Sequence, residues 1–269
     1  MVGWMLILAQ RIKSTSLRKY MSALPYGQAL QPVIHPWTLK GSDAVRRALR
    51  FIRHRYPCSD KASKMPISLS LIHTLALTLS GWPRLDTLQF DDLLWLAASV
   101  IGTSAFLRGG EFLASPASDR AILPLSALSY RTINDERVLI VAPPQPKTRM
   151  DLSEVSIPCF APLSAGPLLP ATLFEALCKR SPIVGSGLPE RVPAFHHVDG
   201  TPLSKDFMVR HTLSLLVKAK IDGLCPSGEP TQILASSWRA GGVRSAYDAH
   251  IPESVIMELG RWRSSAWRH

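Results

Sequence analysis

The sequence predicts a mainly α-helical fold with one small antiparallel β-sheet, an α+β arrangement. Three observations predict it. Leucine- and alanine-rich segments with helical spacing cover 69–79 and 93–101, and helical periodicity returns over 170–179 and 205–220. Between 121 and 157 the apolar runs shorten to strand length and turn signals separate them. The last stretch, from Ser236 to His269, reads as two short helices joined near His250-Ile251. The chain has 269 residues, 46% of them hydrophobic and 19% charged. That is enough for one large or two small domains with a real core, and it argues against disorder.

In order, Ser14–Ala23 is a short helical candidate, and 24–37, with Pro25, Gly27, Pro32 and Pro36, reads as a loop. Asp43 starts a clear helix. Val45, Leu49 and Ile52 form its apolar stripe, and Arg46, Arg50 and Arg53 fall on another face. Such a stripe fits a phosphate backbone, or is simply a solvated face. Pro57–Lys64 is polar and reads as a linker, so residues 1–60 and 61–269 form two parts. Pro66 opens a helix whose apolar run, Leu69–Leu79, is ended by Gly81-Trp82-Pro83. Asp91-Asp92 start another over Leu93–Ile101, with both helices expected inside a bundle. In Phe106–Leu113, Arg108 and Glu111 sit three apart and can share a helical face, the carboxylate fixing the guanidinium.

Ala121–Tyr130 and Arg137–Ala142 then read as strands with Asn134-Asp135 as their turn, and Val155–Ile157 as a third. Lys147, with Arg149 beside it, falls on or near a turn of this sheet. Helices follow over Pro170–Lys179 and Lys205–Lys220, where Phe207, His211-Thr212, Leu215 and Val217 recur roughly every turn. Asp199-Gly200 marks a turn in the connector between them. In the last stretch Arg239 stands near a helix start, before Ala240-Gly241-Gly242. There an arginine and free backbone N–H groups can face an anion together, or the segment is an ordinary helical hairpin with surface arginines. Tyr247, Val255, Ile256 and Leu259 recur at helical spacing, Pro252-Glu253 suit a first turn, and Gly260 a stop.

The net charge of +11 and pI near 9.9 favour a polyanionic partner, nucleic acid before membrane. Residues 1–60 hold ten Lys/Arg against two acids, Asp43 and Asp60. Cys58, Cys159, Cys178 and Cys225 form no CxxC pair, and the histidines offer no zinc spacing. Reduced, mostly buried thiols are expected. Trp4–Ala9 is too short to span a bilayer. No P-loop, GxGxxG, GxSxG or HExxH pattern occurs.

The order of the pieces is informative: a basic helical part, Arg108-x-x-Glu111, a small sheet bearing Lys147, more helices, Arg239-Ala-Gly-Gly and Gly260-Arg261-Trp262. This resembles the tyrosine recombinase (phage integrase) superfamily, and most of all its branch in eukaryotic mobile elements, over residues 60–269. Residues 1–60 look like a truncated core-binding helical domain. The resemblance implies strand cleavage by a tyrosine hydroxyl through a 3′-phosphotyrosyl link. It makes Arg108 and Arg239 phosphate clamps, Glu111 the orienter of Arg108, and Lys147 the general acid, a role for which Arg149 competes. It implies double-stranded DNA as partner, copies assembling on DNA, no cofactor or metal, no membrane, and a nuclear location in a eukaryotic cell.

Two departures follow. Ser236 stands where the family has a histidine, and serine cannot act as a base near neutral pH; a helix N-cap is its simplest role. In the last box the family's His/Trp position falls at Arg261 or Trp262, which can still donate to phosphate. The family's nucleophilic tyrosine would fall one position past His269, and Tyr247 is expected as a packed aromatic instead. The sequence therefore leads us to expect a fragment, or a decayed relic that binds duplex DNA without cleaving it. An unrelated basic helical binding protein is the remaining reading.

Overall fold

The computed structural model describes residues 64–115, 122–133, 135–143, 155–158, 168–184, 192–221 and 232–262, all within one compact unit, Lys64–His269. The basic stripe Arg46, Arg50 and Arg53 lies outside the described residues, as do Lys147 and Arg149.

The central element is a fifteen-residue helix. After a short α1 (Leu69–Ala76), α2 spans Phe90–Ser104 and buries every residue from Leu93 to Thr103. Such a helix is hydrophobic all round because neighbours cover it on all sides. Its buried polar side chains find partners, Thr103 Oγ1 donating to Ile67 O at 3.4 Å. Trp95 Nε1 donates to Thr212 Oγ1 at 2.9 Å, and Trp238 Nε1 donates to Ser99 Oγ at 3.0 Å. α1 starts at Leu69 rather than at the expected Pro66 because Ser68 caps it, its hydroxyl accepting from Leu71 N at 3.2 Å, and it ends at Ala76, before the end of the apolar run. Asp91 and Asp92 occupy the first turn of α2, where carboxylates suit the helix dipole.

A four-residue helix, α3 (Gly109–Phe112), follows. The sheet has order β1-β2-β3, antiparallel throughout, with β1 (Leu128–Ile133), β2 (Glu136–Val141) and β3 (Val155–Pro158). Asp135 takes a left-handed φ of 63° in the β1–β2 turn, a conformation that Asp tolerates. The expected strand Ala121–Tyr130 is corrected: only its last three residues belong to β1. Leu123 and Leu125 direct their N–H groups to Glu111 O and Val192 O, and 125–127 form a 3₁₀ turn. Leu123 is fully buried there without being in the sheet.

Four further helices follow among the described residues: α4 (Pro170–Arg180), α5 (Lys205–Lys218), α6 (Ser237–Asp248) and α7 (Glu253–Leu259). In α5 the buried face is Met208, Thr212, Leu215 and Leu216, while Val217 is exposed, contrary to the predicted stripe. Tyr247 is also corrected, being 46% exposed rather than packed. Cys178 is half-buried, and burial, then Glu175, pushes its thiol up to about 11. No described helix is long and apolar enough to cross a membrane.

His211 of α5 ties that helix to α2. Its ring stacks on Phe207, with centroids 5.2 Å apart, and Nε2 lies 3.0 Å from Asp92 Oδ1. Burial pushes its pKa below the ordinary 6.5; Asp92 and Asp91 pull it back up only in part, and Lys218 adds to the depression. The folded state thus prefers neutral His211. Its contribution is complete above the unfolded value and is lost as pH falls from about 6.5 through the lower folded value. We expect urea midpoints to fall over that window, and His211→Gln to flatten the decline. An unchanged slope in that variant would remove His211 as the cause.

Candidate anion site

Arg108 and Glu111 sit where α2 ends and the chain reverses. Phe106 adopts φ 51°, its N–H bonding Thr103 O, and Leu107 N bonds Gly102 O. This is a Schellman end with phenylalanine at the left-handed position. Arg108 then precedes α3 in extended conformation, so the expected shared helical face is corrected. Glu111 is the third residue of α3, and its Oε2 accepts from Arg108 N at 2.8 Å, half of a capping box. Its Oε1 accepts from Arg108 Nη1 at 2.9 Å. Gly109 is required here, since a Cβ would overlap Ala235.

The other side comes from α6 and the end of α7. α6 lies unusually close to its neighbours because Gly241 and Gly242 carry no side chain. A Cβ on Gly241 would overlap the Ile67 carbonyl, and one on Gly242 the Thr103 carbonyl. Leu69 N donates to Ser245 Oγ at 2.9 Å across the same contact. This close approach sinks Arg239, two residues into α6, to 9% exposure. Ser236 occupies the N-cap position, but its hydroxyl makes no capping bond and the residue is exposed. Its expected capping role is corrected; the adjacent Ser237 Oγ accepts from Leu234 N at 3.0 Å.

α7 ends in a second Schellman motif. Arg261 N bonds Glu258 O, Trp262 N bonds Met257 O, and Arg261 itself takes φ 55°. Gly260 is therefore the C-cap, one position before the left-handed residue that glycine usually supplies. This turn aims Arg261 inward. Its Nη2 donates to Glu111 Oε2 at 2.8 Å and to Phe106 O at 3.3 Å, and the residue is 2% exposed. Arg239 Nη2 donates to the Gly260 carbonyl, and the Arg239 guanidinium lies 4.3 Å from the Trp262 ring centroid.

The structure thus gathers Arg108, Glu111, Arg239, Arg261 and Trp262 from three separated stretches, with Ser236 at the start of α6. Three guanidinium groups face one carboxylate, a net charge of +2. Burial pushes the Arg239 pKa down to about 9, with Arg108 and Arg261 adding to the fall and Glu111 opposing it. Arg239 Nη1 and Arg261 Nε and Nη1 are buried with no hydrogen-bond partner among the described residues. Buried charged donors without partners are costly, and an anion relieves both the charge and the unmet donors. Sequence reasoning selected these residues but missed that Glu111 serves two arginines and that Trp262 covers Arg239.

No family model matches the sequence, and no curated protein does. Among solved structures, a lambda integrase fragment (residues 75–356), crystallised as a dimer on a COC′ core site, aligns over 99% of this chain and 93% of its own, with 14% identity and a TM-score of 0.48. The same fragment bound to DNA aligns over 99% and 92%, with 14% identity and a TM-score of 0.45. A lambda integrase tetramer on a Holliday junction aligns over 98% and 76%, with 14% identity and a TM-score of 0.43. Likenesses this slight leave the functional reading to rest on the site's own geometry.

Proposed function

We propose that this chain is a tyrosine-recombinase-like protein that binds duplex DNA and clamps one backbone phosphate between Arg108 and Arg239. The observation that carries this is the buried arginine cluster, +2 in charge, in which Arg239 Nη1 is buried without a partner among the described residues. A phosphodiester presents two non-bridging oxygens and one negative charge, which the edges of two guanidinium groups match. Arg108 is the accessible member, its side chain 24% exposed, and would meet the phosphate first. Arg239 would exchange the Gly260 carbonyl for a phosphate oxygen, with Glu111 holding Arg108 and Arg261 in place. The overall charge of +11 supplies the sequence-independent attraction.

In this reading residues 61–269 are the catalytic-type part and residues 1–60 a DNA-binding helical part bearing Arg46, Arg50 and Arg53. Lys147, or Arg149, is the general acid of the ancestral reaction, and the ancestor is a mobile-element recombinase acting in the nucleus as an assembly on DNA. Neither described tyrosine is placed to attack. Tyr130 OH donates to Ala171 O at 3.2 Å, and Tyr247 lies eight residues beyond Arg239 on α6, roughly 12 Å along the axis. Binding without cleavage is therefore the activity proposed for the described residues.

The test combines salt titration with covalent trapping. The chain should bind duplex DNA with log affinity falling linearly against log salt, and Arg108→Ala should weaken binding about tenfold or more. A nicked suicide duplex should yield no covalent adduct on a denaturing gel. An adduct abolished by Tyr247→Phe would overturn the non-cleaving reading, and salt-independent binding would overturn the clamp.

A further inference from the structure

Beside the arginine cluster a cleft of about 490 Å³ opens between the first turns of α5 and the chain entering α6. Lys205 and Arg210 form its cationic wall with Asp206 between them, and Ile233, Leu234 and Ala235 form an apolar floor. Both sides are fastened to the segment that carries Arg108 and Glu111. Lys205 N donates to Ala114 O at 3.1 Å and Ala114 N to Leu203 O at 2.8 Å, two residues beyond α3. On the floor side, Ala235 packs directly against Gly109. The cleft therefore keeps a fixed position relative to the clamp. Arg210 is exposed and Lys205 half-buried, and neither side chain forms an ion pair among the described residues.

We propose that this cleft seats the DNA strand adjoining the clamped phosphate, with Lys205 and Arg210 on its phosphates and Asp206 accepting from a base amine. The inference rests on the DNA-binding reading of the arginine cluster. Its chemistry selects a nucleic-acid strand over a simple anion. An apolar floor has no use for a free phosphate or sulfate, but it matches the sugars and base faces between charged linkages. Five residues separate Lys205 from Arg210, a rise of about 7.5 Å, of the order of the gap between successive phosphates on one strand. Asp206 repels phosphate, so the middle of the cleft faces bases. A carboxylate only accepts hydrogen bonds, which selects an edge bearing an amine, cytosine N4 above all. Asp206 thereby becomes a specificity residue beside contacts made to phosphates alone.

The experiment uses the full chain, synthetic duplexes and a duplex library randomised at single positions. Lys205→Ala/Arg210→Ala should reduce the log–log salt slope by about 1.8, two phosphates at roughly 0.9 each. Between 50 and 200 mM salt that variant should lose about tenfold less affinity than the parent chain. The parent should enrich cytosine at one position, and Asp206→Ala should abolish that enrichment while lowering the melting temperature by no more than about 4 °C, the loss of one first-turn carboxylate. If the slope of the double variant equals that of the parent while Arg108→Ala still weakens binding, the cleft is overturned and the clamp stands. A reduced slope with no base preference overturns the role of Asp206. If the parent shows no salt-dependent binding to any duplex, the clamp and the cleft fall together.

Discussion

Glu111→Ala is expected to destabilise the fold by about 3–5 kcal/mol, the cost of breaking a buried ion pair from one side. The carboxylate is 6% exposed and holds Arg261, at 2% exposure, and Arg108 at once. Without it the buried guanidinium groups of Arg239 and Arg261 and the partly exposed one of Arg108 remain together with no counter-charge. The capping bond to Arg108 N is lost as well. For a unit of this size each kcal/mol moves the midpoint by roughly 2–4 °C, so the melting temperature should fall on the order of 6–20 °C. Glu111→Gln keeps an oxygen for the Arg108 N–H and should lose less. The informative readout is the anion response. Phosphate or sulfate should raise the melting temperature of Glu111→Gln more than that of the parent chain, because the variant has the greater excess of positive charge. A melting temperature within about 2 °C of the parent for Glu111→Ala, less than the shift of a single kcal/mol, with no altered anion response, would show that the cluster is not held by this carboxylate.

The helices were legible in the sequence, and so were several of their ends: α4 starts at Pro170, α5 at Lys205 and α7 at Glu253, with Gly260 as its stop, whereas the C-terminal ends of α1, α2 and α5 were not. Apolar stripes at helical spacing announce α1, α2 and α5, since a helix in a bundle buries what it makes apolar. Helix ends are read from glycine at the left-handed position after the C-cap. In α2, α5, α6 and α7 that position is held by Phe106, Lys220, His250 and Arg261, each with φ between 51° and 55°. All four make the paired backbone bonds of the Schellman motif. A residue with a Cβ pays about 1–2 kcal/mol there, so tertiary contacts must hold it. Arg261 shows how, through its bond to Glu111, 150 residues away in sequence. Local propensity carries no trace of a contact made over that distance. The same reason explains Leu123, whose apolar run looks like a strand but finds its hydrogen bonds in Glu111 and Ala194. Within the site, the order of the boxes and the family resemblance it carries selected Arg108, Glu111, Arg239, Arg261 and Trp262. What each one touches became visible only in three dimensions.

The second large effect is expected at Gly241. Gly241→Ala should destabilise by roughly 3 kcal/mol, the upper end of the usual cost of overpacking. Glycine in mid-helix ordinarily weakens a helix by about 0.5–1 kcal/mol relative to alanine, so propensity alone predicts a gain. The surroundings reverse that sign. The new methyl would overlap the Ile67 carbonyl, a backbone atom whose residue N–H is itself bonded to Ser237 O at 3.0 Å. Neither partner is the free end of a flexible side chain, so α6 must move as a body. Moving α6 away from α1 and α2 strains the Trp238 Nε1 bond to Ser99 and lifts Arg239 from the Gly260 carbonyl. Affinity for DNA should therefore fall together with stability. Gly110→Ala is the control, because the residue is helical and a methyl group there would meet nothing within 4 Å. It should be neutral within about 1 kcal/mol. Urea denaturation of the two variants side by side decides the matter. Should Gly241→Ala prove as stable as Gly110→Ala, the close approach of α6 to Ile67 is not what seats Arg239, and the Arg-Ala-Gly-Gly motif needs another physical explanation.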